Sequence, residues 1–395
     1  MIRNVGASLI SACAVWILGA GCALAAEQGA GQGAADPGAA GQGAANPGAA
    51  ANEVSRSVGN PGAANPGAAA NEVGYIVGLQ NPEDILQIGA TRWLLASGLV
   101  SWKPDPNSRG HLYLVNRLDH SFEVLFPGTH PVFRQDKHTF ADCPGPVNPA
   151  HFSAHGLALK QTATGRYRLY MTSHGEREAI EAFEIDARGA KPAIAWVGCV
   201  LLPEKMWGNT VAILQGGGFV ATKSKDSTNP DAFKHLVEAR ITGEVYEWHP
   251  GGTVKPVPGT AMSCPNGIVL SADDRWMYVN AMGTRQVVRF DRNAPAAPGK
   301  AVSIPVYPDN IHWGEDGMLY AIGRNAVPGA NCPWLNCGTG WSIIQVDPHT
   351  LAAKRVAGAD QTVPLQAPSA VITAGDRFWI GNFDGDRIGY MQRPK

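Results

Sequence analysis

From Gly74 onward the apolar residues come in short runs, aromatic or β-branched, each bounded by Gly, Asp, Asn or Pro. Trp93-Leu94-Leu95, His111-Leu112-Tyr113-Leu114-Val115, Leu169-Tyr170-Met171-Thr172, Trp276-Met277-Tyr278-Val279 and Phe378-Trp379-Ile380 are the clearest. Side chains of this shape suit a pleated, half-buried surface, and the bounding residues supply turns. No long stretch carries a helical period, so the pattern predicts an all-β body.

The runs repeat as sets. Ile268-Val269-Leu270, a turn at Ala272-Asp273-Asp274-Arg275, Trp276 to Val279 and Gln286 to Phe290 make one unit of three successive strands. Ile311-His312-Trp313, Met318 to Ile322 and Ser342 to Val346 make the next, and Ala370 to Thr373, Arg377 to Ile380 and Arg387 to Tyr390 another. Earlier sets start near Asp84, Gly156 and Thr210, so six starts fall at intervals of roughly 45 to 70 residues, near the period of propeller blades. The expected fold is a six-bladed β-propeller with about four strands per blade.

The N-terminal part departs from this pattern. Arg3, the apolar Leu9 to Leu18 and the Ala23-Leu24-Ala25 cleavage signal read as a secretory signal peptide over residues 1–26. Cys22 after Gly19-Ala20-Gly21 loosely matches a lipoprotein box, with Leu18 one position early, so lipid anchoring there is the minority alternative. Residues 27–73 are almost wholly Gly, Ala, Asn, Gln and Pro, and GAANPGAAANEV at Gly43 to Val54 recurs at Gly62 to Val73. Such a segment buries too little apolar area to offset its ordering entropy and reads as a disordered tether. The propeller then occupies 74–395, in a protein expected to be exported to the periplasm or beyond.

Composition narrows the partners. The 395 residues are 45% hydrophobic, enough for a large core, and carry a formal net charge of -1 with no basic run suited to nucleic acid or an anionic membrane. No later stretch is apolar and long enough to span a bilayer. A small uncharged or weakly polar molecule is the expected partner. Cys143, Cys199, Cys264, Cys332 and Cys337 remain in the exported body, an odd number, so at least one is unpaired or paired between chains. Cys332 and Cys337 are close enough for a local disulfide; pairing among the other three stays open. Their scatter, without CxxC, argues against zinc.

The candidate chemistry sits at one phase of the repeat. Asn81-Pro82-Glu83-Asp84, Trp207-Gly208-Asn209, Cys264-Pro265-Asn266-Gly267 and Tyr307-Pro308-Asp309-Asn310 each precede a short apolar run. In a propeller the residue before the innermost strand lies at the channel mouth, so Glu83, Asn209, Asn266, Asp309 and Asn310 can converge from different blades. Five hard oxygen donors, two of them carboxylates, favour Ca²⁺, whose tolerant coordination suits them better than the octahedron of Mg²⁺. Each motif alone is an ordinary turn. His155 in Ala154-His155-Gly156 takes the same phase in the second blade, and His174 ends the following strand, so the two imidazoles can sit side by side as a base and its orienting partner.

These motifs, taken in order with Ala96-Ser97-Gly98-Leu99 and Leu169 to Phe183, resemble the serum paraoxonase/arylesterase family over nearly all of Gly74 to Tyr390. The wider calcium-dependent gluconolactonase and regucalcin propellers share the Pro-Asn-Gly element. The resemblance implies a catalytic calcium held by Glu83, Asn209, Asn266, Asp309 and Asn310, a His155–His174 dyad, and hydrolysis of lactones and aryl esters. It also implies a second, structural calcium on Asp84, but Thr210 stands where the family has a further acid. The family's terminus-joining disulfide has no counterpart, so the ring must close by strand pairing, through a strand near Tyr75 to Val77 or Trp93 to Ala96 meeting the last blade.

The ion would polarise the carbonyl while His155 deprotonates water. No Gly-x-Ser-x-Gly elbow is present, which disfavours a serine mechanism. Two other functions fit the same sequence: a gluconolactonase-like sugar-lactone hydrolase, and an exported propeller that binds a ligand without turnover.

Overall fold

The computed structural model describes residues 72–100, 108–327, 339–361 and 364–394. The segment expected to be a signal peptide, nearly all of the expected tether, the alternative lipidation at Cys22 and the suggested Cys332–Cys337 disulfide lie outside the described residues. The described part is a six-bladed β-propeller of six four-stranded antiparallel sheets. Helix is limited, among the described residues, to a single 3₁₀ turn at Pro149–His151 and a six-residue α-helix at Ala232–Val237.

The innermost strands are Pro82–Gln87, Ala154–Ala163, Met206–Ile213, Pro265–Leu270, Val306–Trp313 and Pro368–Ala374. Each begins a blade that proceeds outward in chain order, except that the last takes its outermost strand from the start of the described residues. Short outer strands such as Lys300–Ser303 and Ala353–Ala359 complete sets that the sequence pattern showed only as three strands. These edge strands are polar and exposed, which leaves them almost no periodic signal.

Ring closure uses Gly74–Val77. It is the outermost strand of the last blade and pairs antiparallel with Arg387–Gln392, Tyr75 facing Gly389 and Ile76 facing Ile388. Ile76 is buried with Leu79, Trp379 and Ile388, so the closure is an apolar contact as well as a ladder. Aromatic and aliphatic clusters of the same kind fill the spaces between successive blades. The largest joins blades one to three around Phe126, Phe152, Phe183 and Trp196. A disulfide between Cys143 and Cys199 ties the long connection after the first blade to the outer strand of the second.

One irregularity recurs in every blade. The ladder between the first and second strands breaks at Pro82/Ile85, Ala154/Leu157, Gly208/Val211, Pro265/Ile268, Pro308/Ile311 and Pro368/Val371. Two residues on the inner strand there oppose one on its neighbour, a β-bulge that re-aims side chains. The first residue of each bulge forms an upper ring of Glu83, His155, Asn209, Asn266, Asp309 and Ser369. The second forms a lower ring of Asp84, Gly156, Thr210, Gly267, Asn310 and Ala370. Polar and small residues alternate around that lower ring because the channel is narrow. A Cβ on Gly156 would meet the Asn209 carbonyl oxygen at 2.6 Å, and one on Gly267 the Ile311 nitrogen at 2.5 Å. The next residues, Ile85, Leu157, Val211, Ile268, Ile311 and Val371, return to the buried core.

Candidate functional site

A cavity of about 160 Å³ opens at the upper ring and is lined by Glu83, His155, Asn209, Asn266 and Asp309, with Trp207, Leu99 and Leu236 among its walls. Leu236 comes from the short α-helix. The structure therefore brings together four of the five oxygen donors proposed for one cation, with His155 beside them. Asn310 lies just beneath, in the lower ring, and is wholly buried. Its Nδ2 donates to Glu83 Oε1 at 2.7 Å, so it braces a ring member from below.

The backbone around these residues is held by groups from neighbouring blades. Ser369 Oγ donates to the Glu83 carbonyl at 2.6 Å, Thr222 Oγ1 to the Asn266 carbonyl at 2.7 Å, and Asn280 Nδ2 to the Asp309 carbonyl at 2.7 Å. The side-chain oxygens that face one another are less satisfied. Glu83 Oε2 and Asn266 Oδ1 are buried acceptors with no hydrogen-bond partner. A buried acceptor left unpaired costs about 1–3 kcal/mol, so two in one hole point to a missing positive partner.

Electrostatics point the same way. Burial, reinforced by the charges of Asp84 and Asp309, holds the Glu83 carboxyl well above the ordinary carboxylate range against the opposing hydrogen bond from Asn310. Burial pushes Asp309 up to about 7; Asp84 adds to that, while Arg324 and the Asn266 amide pull the other way. Two acids that resist ionisation in one cavity are the expected protein-side signature of a cation site. The donor set is all oxygen and mixes carboxylate with amide, which fits Ca²⁺. Among the described residues no three His, Cys, Asp or Glu side chains cluster as metal ligands; two of the four oxygen donors lining the cavity are asparagine.

The lower ring behaves differently. Asp84 Oδ1 accepts from the Ile85 backbone N–H and faces His312 Nε2, both at 2.8 Å, and its Oδ2 accepts from the Leu157 N–H at 2.8 Å. Thr210 Oγ1 lies 2.7 Å from Asn310 Oδ1 and 2.8 Å from Asn209 Oδ1. Protein donors already satisfy Asp84, and no second acid is present, so these residues do not fit a structural ion. His312, reaching Asp84 from the fifth blade, was invisible as a site residue because Asn310-Ile311-His312 reads as ordinary strand.

His155 and His174 meet as the sequence pattern anticipates, with His155 Nδ1 2.7 Å from His174 Nε2. A third member was missed: Glu178 places its carboxylate 2.9 and 3.0 Å from His174 Nδ1. The spacing His-x-x-x-Glu was readable but meaningless without the loop that folds Glu178 back. Trp207 stacks on His174 at 4.1 Å between ring centroids and 13° between planes, fixing the imidazole. The network sets the tautomers. Glu178 accepts only, so His174 carries its proton on Nδ1 and accepts on Nε2, leaving His155 with Nδ1–H and a bare Nε2. That Nε2 lies 3.7 Å from Glu83 Oε1, at the cavity. Burial, together with His174 and Lys225, holds His155 well below its ordinary range and therefore neutral. Cys264, the one free cysteine among the described residues, also lines the cavity, its thiol pushed up to about 12 chiefly by burial.

The fold and this mouth define a six-bladed propeller with an acid–amide ring beside a histidine pair. Within it, residues 168–349, a little under half of the chain, match the family described as SMP-30/Gluconolactonase/LRE-like region. No curated protein matches the chain. Among solved structures, a luciferin-regenerating enzyme is 14% identical with a TM-score of 0.50, covering 82% of this chain and 95% of its own. A protein of unknown function from Bacteroides thetaiotaomicron is 12% identical with a TM-score of 0.50, over 81% of this chain and 72% of its own. A gluconolactonase from Xanthomonas campestris is 17% identical with a TM-score of 0.47, over 82% of this chain and 90% of its own. At these identities the first two establish shared fold alone. The central segment is thus similar to that family, and the described body as a whole has the six-bladed propeller fold.

Proposed function

We propose that the protein is a calcium-dependent hydrolase of lactones and aryl esters, of the paraoxonase type within the wider lactonase propellers. The observation that carries this reading is the pair of orphaned acceptors, Glu83 Oε2 and Asn266 Oδ1, facing a cavity that the bare Nε2 of His155 also reaches. Glu83, Asn209, Asn266 and Asp309 would hold the ion, with Asn310 steering Glu83. When bound, calcium supplies a fixed positive charge toward the substrate carbonyl and the negative oxygen that develops from it.

The protein's own groups do the proton work. His155 Nε2 accepts a proton from water at the cavity, and the positive charge spreads through Nδ1–H to His174, whose Nδ1–H faces the Glu178 carboxylate. The carboxylate stabilises that charge without having to take the proton. Leu99, Trp207 and Leu236 exclude water from the remaining wall. A cavity near 150 Å³ accommodates a benzene-sized group, so one lactone ring or one phenyl ester suits the 160 Å³ here.

The sequence match in the middle of the chain favours a second reading, hydrolysis of sugar lactones by the same ring. Purified protein assayed against γ-butyrolactone, a sugar δ-lactone and phenyl acetate decides between them. Chelation should abolish turnover and calcium restore it. Full activity after metal removal would sink the proposal.

A further inference from the structure

The ends of the second strands form a further layer above the upper ring. Leu99, Met282 and Phe383 sit there in the first, fourth and sixth blades, paired back to Asn81, Cys264 and Ala367. In the third and fifth blades the same level is occupied by cations. Lys225 is registered opposite Trp207, two residues before Asn209, and Arg324 opposite Tyr307, two residues before Asp309. All five side chains line the cavity.

Neither cation is neutralised by direct contact. Among the described residues, no hydrogen bond or ion pair engages the Lys225 ammonium or the Arg324 guanidinium. Lys225 rests over the Trp207 ring at 4.6 Å and Arg324 over the Phe383 ring at 5.3 Å. Glu178 near Lys225, and Asp309 and Asp384 near Arg324, act only at longer range. An aromatic shelf beneath each head group leaves its N–H donors turned to the cavity. A half-buried guanidinium with its donors open is built to receive planar oxygens, and an ammonium to receive a point charge. The two acids of the cavity lie in the ring proposed to hold the divalent ion, which would balance them.

We propose that Lys225 and Arg324 form an anion subsite that selects lactone or ester substrates carrying a free carboxylate. The reaction part rests on the hydrolase reading above; the binding part does not. Isothermal titration with glutarate, in calcium buffer, tests the subsite directly. Wild-type protein should bind it about tenfold or more tightly than Lys225→Met and Arg324→Met, as expected for losing a charge-assisted hydrogen bond, with Arg324→Lys, which keeps the charge but not the planar fork, falling between. Circular dichroism shows whether each variant is folded, and Lys225→Met, altering the less buried of the two, still decides if an Arg324 variant is not. In parallel, the kcat/KM ratio of a γ-butyrolactone bearing a carboxylate to its methyl ester should fall by a similar factor in both Met variants. If glutarate binds all forms equally, or none, the subsite is wrong. If glutarate binding depends on both cations while no lactone is hydrolysed, the subsite stands and the hydrolase reading fails.

Discussion

The upper and lower rings of the channel come from adjacent residues of the same six bulges, yet their hydrogen-bond states are opposite. In the upper ring Glu83 Oε2 and Asn266 Oδ1 have no partner. In the lower ring both oxygens of Asp84 are taken, by two backbone N–H groups and His312. The difference shows that repeat phase alone does not make a ligand site. What distinguishes the two is whether protein donors meet every acceptor. Where they do, the ring is a plug that holds blades together; where they do not, the unmet acceptors are available to a cation.

The strongest way to break this contrast is to remove charge from each ring in turn. In the upper ring, Asp309→Asn or Glu83→Gln should abolish calcium binding in titration calorimetry and lower lactone turnover by about 10³-fold or more, since a fixed charge at the carbonyl is usually the largest catalytic contribution. Retained calcium affinity in both variants would mean the ring is not the site. His155→Gln should cut turnover by about 10²-fold or more while calcium still binds, separating the base from the ion. Unchanged turnover would remove His155 from the mechanism.

In the lower ring, Asp84→Asn should leave the His312 side badly matched and lower stability by about 3 kcal/mol, as for other broken buried pairs, read as a fall in Tm. Elemental analysis should find one calcium per chain in wild type; two would overturn the distinction between the rings. The smallest effect is expected outside both. Glu178→Gln should lower kcat by about tenfold with KM and calcium affinity little changed, as for other groups that orient a functional side chain.

Much of this was legible in the chain. The alternation of short aromatic and β-branched runs with Asp, Asn and Gly turns determines an all-β repeat, because pleated strands impose a two-residue period locally. The equal phase of Glu83, Asn209, Asn266 and Asp309 was readable for the same reason: each precedes its own apolar run, and the structure places all four at the bulges within the inner strands. His155 and His174 were readable as neighbours because adjacent strands of one blade bring them together. The outer strands escaped notice, since exposed polar edges lack the pattern.

What tertiary structure alone decided is which groups meet across blades. The Gly74–Val77 strand closes the ring more than three hundred residues from its partner. His312 finds Asp84, and Asn310 finds Glu83, across separations of 228 and 227 residues. Glu178, Lys225 and Arg324 acquire their places from loop return and strand register. Sequence pattern records the periodicity of a single strand, whereas hydrogen-bond satisfaction and charge balance depend on distances that exist only once the blades have closed into a circle.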